Sequence, residues 1–196
     1  MHPPGPQQAL AEIITGFPPI SQPHAHTLIL GSMPSAQSLK KQQYYAHPRN
    51  GFWPIVADLF GIEESGYEAR ARAIADAGLA IWDVMRACTR PGSLDADIDK
   101  HSIVPNDFAA FYTSHTNIDR VFFNGAKAES VYLRMVLPEL VDVKNDGKEG
   151  AKDENPIPNM HYQRLPSTSP AHAAMSLAEK KQAWRTIADL PPRRQS

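Results

Sequence analysis

The sequence predicts a three-layer α/β domain built on a largely parallel sheet. Two observations predict it. Four short apolar runs, Leu28–Leu30, Leu79–Val84, Ile118–Phe123 and Tyr162–Leu165, alternate with segments of helical periodicity. Each run also ends among small, turn-forming or polar residues, as strands do when they deliver loops to one edge of an open sheet. No internal repeat and no second domain is visible. Residues 1–196 therefore read as one domain, with loose tails at 1–8 and 190–196.

The elements follow in order. Ala9–Ile14 reads as a short helix, stopped by Gly16 and Pro18-Pro19. Leu28-Ile29-Leu30 is the first core strand. Gly31, Ser32, Pro34 and Ser35 then form a loop that lets a ligand approach backbone amides. Two adjacent aromatics, Tyr44 and Tyr45, and the run His47-Pro48-Arg49-Asn50 come next. Phe52–Phe60 places Phe52, Ile55, Val56, Leu59 and Phe60 on one helical face, with Gly61 as its stop. Tyr67–Ala77, rich in Ala, Arg and Glu, reads as a helix ended by Gly78, and LAIWDV as the second strand. Arg86–Asp97 reads as irregular, with Pro91-Gly92 as a turn. Asn106 is expected to cap a helix over Asp107–Tyr112. The third strand, Ile118–Phe123, ends at Asn124-Gly125, and a helix over Ala126–Met135 follows. Residues 138–159 read as a polar surface excursion. The fourth strand, Tyr162–Leu165, runs into PSTSPA. Ser176 and Glu179 form an S-x-x-E capping box for the last helix, expected to turn Leu177, Trp184 and Ile187 inward.

Bulk properties narrow the function classes. An apolar content of 42% and a charged content of 21% fit an ordinary folded chain. No apolar run approaches the ~20 residues a membrane helix needs. MHPPGPQQAL carries no basic cluster ahead of an apolar core, so the expected location is the cytoplasm. A single cysteine, Cys88, excludes an intrachain disulfide and a cysteine-ligated iron–sulfur cluster. With a net charge of −1, any nucleic-acid contact must come from a locally basic face.

Four strand ends carry the candidate chemistry: Gly31–Ser35, Asp83, Asn124 and Ser167–Ser169. In a parallel sheet all four fall on one edge. Neither G-x-x-x-x-G-K-[ST] nor G-x-G-x-x-G is present, which disfavours nucleoside triphosphates and dinucleotides. H-E-x-x-H is absent and the histidines are scattered, so no metal and no other cofactor is expected; His24 and His26 read as solvated. Ser167, Ser169 and His172, with Asp83 as orienter, form a weaker hydrolase candidate without the G-x-S-x-G elbow.

The ordered series GSMPSAQSL, YYAHPRNGFW, LAIWDVMRACTRPGSLDADI, VFFNGAKA and LPSTSPAHA, spanning Leu28–Ala173, resembles the uracil-DNA glycosylase superfamily. The branch it most resembles is the hypoxanthine-DNA (deoxyinosine) glycosylases. The resemblance implies an α/β/α sandwich with a four-stranded parallel sheet. It implies a monofunctional enzyme, acting as a monomer on DNA, that hydrolyses the N-glycosidic bond of a deaminated base flipped from the helix. Asn50 resembles the catalytic asparagine of that branch; an amide is no base, so it would orient water or substrate. Ser32 joins it in the catalytic set, among donors near Gly31–Ser35 that would stabilise charge on the departing base. Tyr45 resembles the stacking aromatic. Asn124, Asp83, Met33 and Phe52 complete the base-binding set, Asn124 having the donor and acceptor a hypoxanthine edge needs. Ser167, Thr168, Ser169, His172 and Arg49 are assigned to DNA.

Two departures stand out. Ser35 replaces a usual glycine, and Ala171 falls near the residue that relatives push into the gap left by the flipped base, leaving His172, Met175 or nothing for that task. They keep open a second reading, a module that binds damaged DNA without cutting it. Plain structural readings also stand: Tyr44, Phe52 and Trp53 as core, His47 as a hydrogen-bonded structural residue, Asn50 and Asn124 as helix caps, and Asp83 paired with Arg86 or Arg90.

Overall fold

The computed structural model describes residues 13–145 and 160–189. Its elements are β1 (Ile13–Thr15), β2 (Thr27–Gly31), α1 (Ala36–Lys41), α2 (Phe52–Phe60), α3 (Tyr67–Asp76), β3 (Leu79–Asp83), β4 (Met85–Thr89), β5 (Val104–Pro105), α4 (Phe108–Ser114), β6 (Arg120–Asn124), α5 (Ala126–Val131), α6 (Leu137–Asn145), β7 (His161–Leu165), α7 (Leu177–Trp184) and α8 (Thr186–Asp189).

β2 and β3 are buried along their whole length. Strands without a polar face belong inside a sheet covered on both sides. β2 accordingly pairs in parallel with β3 on one flank and β6 on the other, and β7 extends the parallel sheet to the order β3-β2-β6-β7. Leu30, Trp82 and Phe123 are in register and so share a face. Trp82 packs on Phe108 and Phe111 of α4, and Phe123 on Tyr132. Ile29, Ile81, Phe122 and Gln163 occupy the opposite face. There Thr186 of α8 donates to Gln163 Oε1 at 3.2 Å. On α7, Trp184 meets Phe52 of α2 edge-on with ring centroids 5.9 Å apart.

Several expectations are corrected. Residues 13 and 14, expected in a helix over Ala9–Ile14, lie in strand β1; residues 9–12 fall outside the described residues. Arg86–Thr89, from the stretch expected to be irregular, belong to strand β4, paired antiparallel with both β1 and β5 in a second, three-stranded sheet. Strand pairing at this sequence distance overrides local propensity. The run expected to become a polar excursion at 138 stays helical to Asn145 as α6, while residues 146–159 and both tails lie outside the described residues. A π turn over Tyr132–Val136 precedes α6, so Pro138 sits in the first turn of a fresh helical segment, where a missing N–H is tolerated. The cap of α4 is Asp107, whose side chain accepts from Ala110 N at 2.9 Å, and not Asn106. Leu177, expected to turn inward, is 44% exposed, whereas Trp184 and Ile187 are buried. The capping box is present: Ser176 Oγ accepts from Glu179 N, and Glu179 Oε2 accepts from Ser176 N at 2.7 Å.

One glycine governs the entry to β2. Gly78 closes α3 at φ +80°, and its carbonyl accepts from His26 N and Thr27 N. A Cβ there would strike the His26 ring. Gly78→Ala is expected to lower the free energy of unfolding by about 1–3 kcal/mol, read from urea denaturation.

Candidate active site

The C-terminal ends of the four parallel strands enclose a cavity of about 300 Å³. Gly31, Ser32 and Met33 reach it from β2, Asp83 from β3, and Asn124 from β6. Tyr45 and Asn50 come from the segment between α1 and α2, and Ser167, Thr168, Ser169 and His172 from the loop after β7. Every sequence-predicted site residue except Phe52 and Arg49 lines this one cavity. Arg49 is exposed beside it. Phe52 is fully buried and stacks behind Tyr45, with centroids 3.8 Å apart and planes 18° from parallel. Expected in the base-binding set, it does not line the cavity but backs the Tyr45 ring, which does.

Thr168 ties the walls together. It is buried, its N–H donates to Asn124 Oδ1 at 2.8 Å, and its hydroxyl accepts from Asn124 Nδ2 at 2.9 Å. Its carbonyl accepts from Gly51 N at 2.9 Å. Asn124 is therefore no helix cap: α5 starts on Gly125, and the Asn124 amide fastens the loop after β7. The same amide lies within hydrogen-bonding reach of the Tyr45 hydroxyl across the cavity. Asn50 keeps its capping role, its Oδ1 accepting from Phe52 N at 2.9 Å, with its Nδ2 left to the cavity it lines. Lys180, buried on α7, holds the far end of the same loop by donating to His172 O at 2.8 Å and Ser169 O at 3.4 Å.

The opposite wall is crowded. Tyr45 sits in the left-handed region at φ 54°, a strain that persists where packing over-determines it. Its buried hydroxyl lies next to Gly31, the Asp83 carboxyl and the Asn124 side chain. A Cβ on Gly31 would collide with that carboxyl, so only glycine allows the close approach. Asp83 is 3% exposed, and its Oδ2 lacks a partner. The sequence pairing of Asp83 with Arg86 or Arg90 is not formed. Arg90 spends its guanidinium on the carbonyls of Pro34 at 2.7 Å and Gly92 at 3.0 Å. Burial first, and the Asp95 charge second, push the Asp83 carboxyl up to about 8, with Arg90 acting against them. Asn106 steadies the strand end by donating to the Asp83 carbonyl at 2.8 Å.

Other assignments resolve on the same geometry. Ser32 Oγ donates to Asp95 Oδ2 at 2.6 Å, so its hydroxyl anchors the segment after β4. Ser35 is the N-cap of α1, with φ −68° and its side chain accepting from Ser38 N. No left-handed conformation calls for glycine there, so this departure leaves the loop intact. Ser167 Oγ and Ser169 Oγ accept from the N–H groups of Ser169 and Ala171. Among the described residues neither hydroxyl bonds an imidazole. Tyr44 is buried packing, and His47 Nδ1 accepts from Arg49 N, both as expected. No group of three or more His, Cys, Asp or Glu among the described residues is placed to hold a metal ion, and no described helix is long and apolar enough to cross a membrane. Sequence reasoning missed Arg90, Leu94 and Asp95 as cavity residues. Their signal was their place around the Pro91-Gly92 turn within LAIWDVMRACTRPGSLDADI.

Two measurements check this account. Thr168→Val removes the acceptor for Asn124 Nδ2 and is expected to cost about 1 kcal/mol in chemical unfolding. Asp83 binds its proton more tightly in the folded chain than near its ordinary 3.8, so its contribution is full at low pH and is lost as pH rises toward about 8. The melting temperature of Asp83→Asn relative to the natural chain is therefore expected to rise by about 2–5 °C between about pH 5 and about pH 8.

Comparison with known proteins agrees with this architecture. The profile of the uracil DNA glycosylase superfamily matches residues 18–189. Two proteins named hypoxanthine DNA glycosylase, from Methanosarcina acetivorans and Methanosarcina barkeri, are each 36% identical over 115 residues, covering 58% of this chain and 72% of theirs. A solution NMR structure from Methanosarcina acetivorans, provisionally described as a uracil DNA glycosylase, superposes with a TM-score of 0.65 at 30% identity, covering 90% of this chain and 99% of the other. A parallel four-stranded sheet, a cavity at its strand ends and a match running through nearly all the described residues lead to one assignment: this chain belongs to the uracil DNA glycosylase superfamily.

Proposed function

We propose that the chain is a monofunctional DNA glycosylase, acting as a cytoplasmic monomer, that hydrolyses the N-glycosidic bond of a deaminated base, hypoxanthine first and uracil second. The observation that carries this reading is the gathering of Tyr45, Asn50, Asp83 and Asn124 around one cavity, with Thr168 tying Asn124 to the backbone beside Asn50. The names of the two Methanosarcina relatives support the choice of hypoxanthine.

A base within a duplex is out of reach, so it must be swung into the cavity. The Tyr45 ring, backed by Phe52, offers a face for it, with Met33 as apolar wall. The Asn124 amide and the Asp83 carboxyl, both at the cavity, read its edge. Asn50, held by its bond to the Phe52 amide, orients the attacking water through Nδ2 and takes no proton. The Gly31–Ser35 loop, Ser32 included, supports charge that moves onto the base as the bond to C1′ breaks. Ser167, Ser169, His172 and Arg49 take the DNA backbone on the outer rim, while Thr168, expected to join them, is buried and bonded inward and holds their loop in place.

The test is cleavage of oligonucleotides carrying deoxyinosine or deoxyuridine, developed with alkali to break abasic sites. Product is expected from deoxyinosine at least; none above a buffer control on either substrate overturns the reading. Asn50→Ala is expected to slow single-turnover cleavage by about 100-fold or more while changing the DNA dissociation constant by less than about threefold. Equal losses in both would leave Asn50 a helix cap alone.

A further inference from the structure

Moving a base out of a duplex leaves a gap in the stack, and proteins that open a base step commonly fill it with an apolar side chain. The rim after β7 offers little for this. Ala171 is exposed but carries one methyl group, His172 is half-buried with a polar ring, and Met175 is half-buried and does not line the cavity. The facing rim, after β4, carries Leu94, which lines the same cavity and is 53% exposed.

A lone exposed leucine signifies little. Leu94 differs in place and in bracing. Among the described residues, the other large exposed apolar side chains are Ile13, Val104, Leu133 and Leu177, and none of them lines the cavity. The loop that presents Leu94 is fixed on both sides. Arg90 donates to Gly92 O and to Pro34 O, and Ser32 donates to Asp95 Oδ2. Asp97 N donates to the Leu94 carbonyl at 3.0 Å. The leucine is thus held at the mouth of a base-sized cavity by bonds to the loop that forms its floor.

We propose that Leu94 is the side chain that enters the stack when a base leaves it, in place of the residue at position 171. This rests on the glycosylase reading above. The wedge then belongs to the segment after β4, and the rim after β7 is left to grip the backbone.

The experiment compares single-turnover cleavage of one deoxyinosine oligonucleotide as a single strand and annealed to its complement. A single strand has no duplex stack to fill, so a wedge is needed only in the annealed form. Leu94→Ala is expected to lower the duplex-to-single-strand rate ratio by about tenfold or more. Leu94→Gln, which keeps the length without the apolar character, is expected to lower it similarly, and Leu94→Met to keep it within about threefold. Melting curves show that each variant is folded, as an exposed site leads one to expect. A ratio within about twofold of the natural chain for both Leu94→Ala and Leu94→Gln overturns the proposal alone, as does an equal loss on both substrates. A natural chain inactive on both forms overturns the glycosylase reading, and the wedge falls with it.

Discussion

The arrangement depends on how the open ends of four parallel strands satisfy their polar groups. Backbone emerging from a buried sheet cannot be left unpaired, and Thr168 supplies the solution with three bonds at once. Its N–H and hydroxyl take both ends of the Asn124 amide, and its carbonyl takes the Gly51 N–H. Segments that leave β2, β6 and β7 are thereby held to one another. The cavity is the space these ties leave at the sheet edge.

The wall at β2 and β3 is built on the opposite principle. Gly31 has no side chain, so the Asp83 carboxyl and the Tyr45 hydroxyl come up against the backbone, with Asp83 Oδ2 left without a protein partner. Tyr45 holds a left-handed backbone conformation and is pinned by Phe52. An unpaired buried polar atom and a strained residue lower stability. Their concentration on one wall, facing the satisfied wall around Thr168, is the pattern of a surface shaped for a ligand.

Much of this was legible in the residues. LIL and LAIW are apolar without interruption, the pattern of strands covered on both faces, and their alternation with helical segments pointed to the parallel sheet and to the edge where its loops gather. The Ser176–Glu179 box is a local interaction and was equally plain. Less visible were β1 and β4, which exist because distant segments pair, and α6, whose Pro138 reads as a breaker until the π turn before it is known. Asn106 and Asp107 both suit a cap, and only the packing decides that Asp107 caps while Asn106 reaches Asp83.

The sequence by itself determined the sheet, the edge where chemistry gathers, and the residue types that gather there, because burial patterns and turn chemistry are written in neighbouring positions. Only the tertiary structure decided what each of those residues does. It turned the Asn124 amide toward Thr168, put Phe52 behind Tyr45, kept Arg90 away from the Asp83 carboxyl and set Leu94 at the mouth. Those outcomes depend on distances between side chains dozens of positions apart, and no local pattern encodes a distance across the fold.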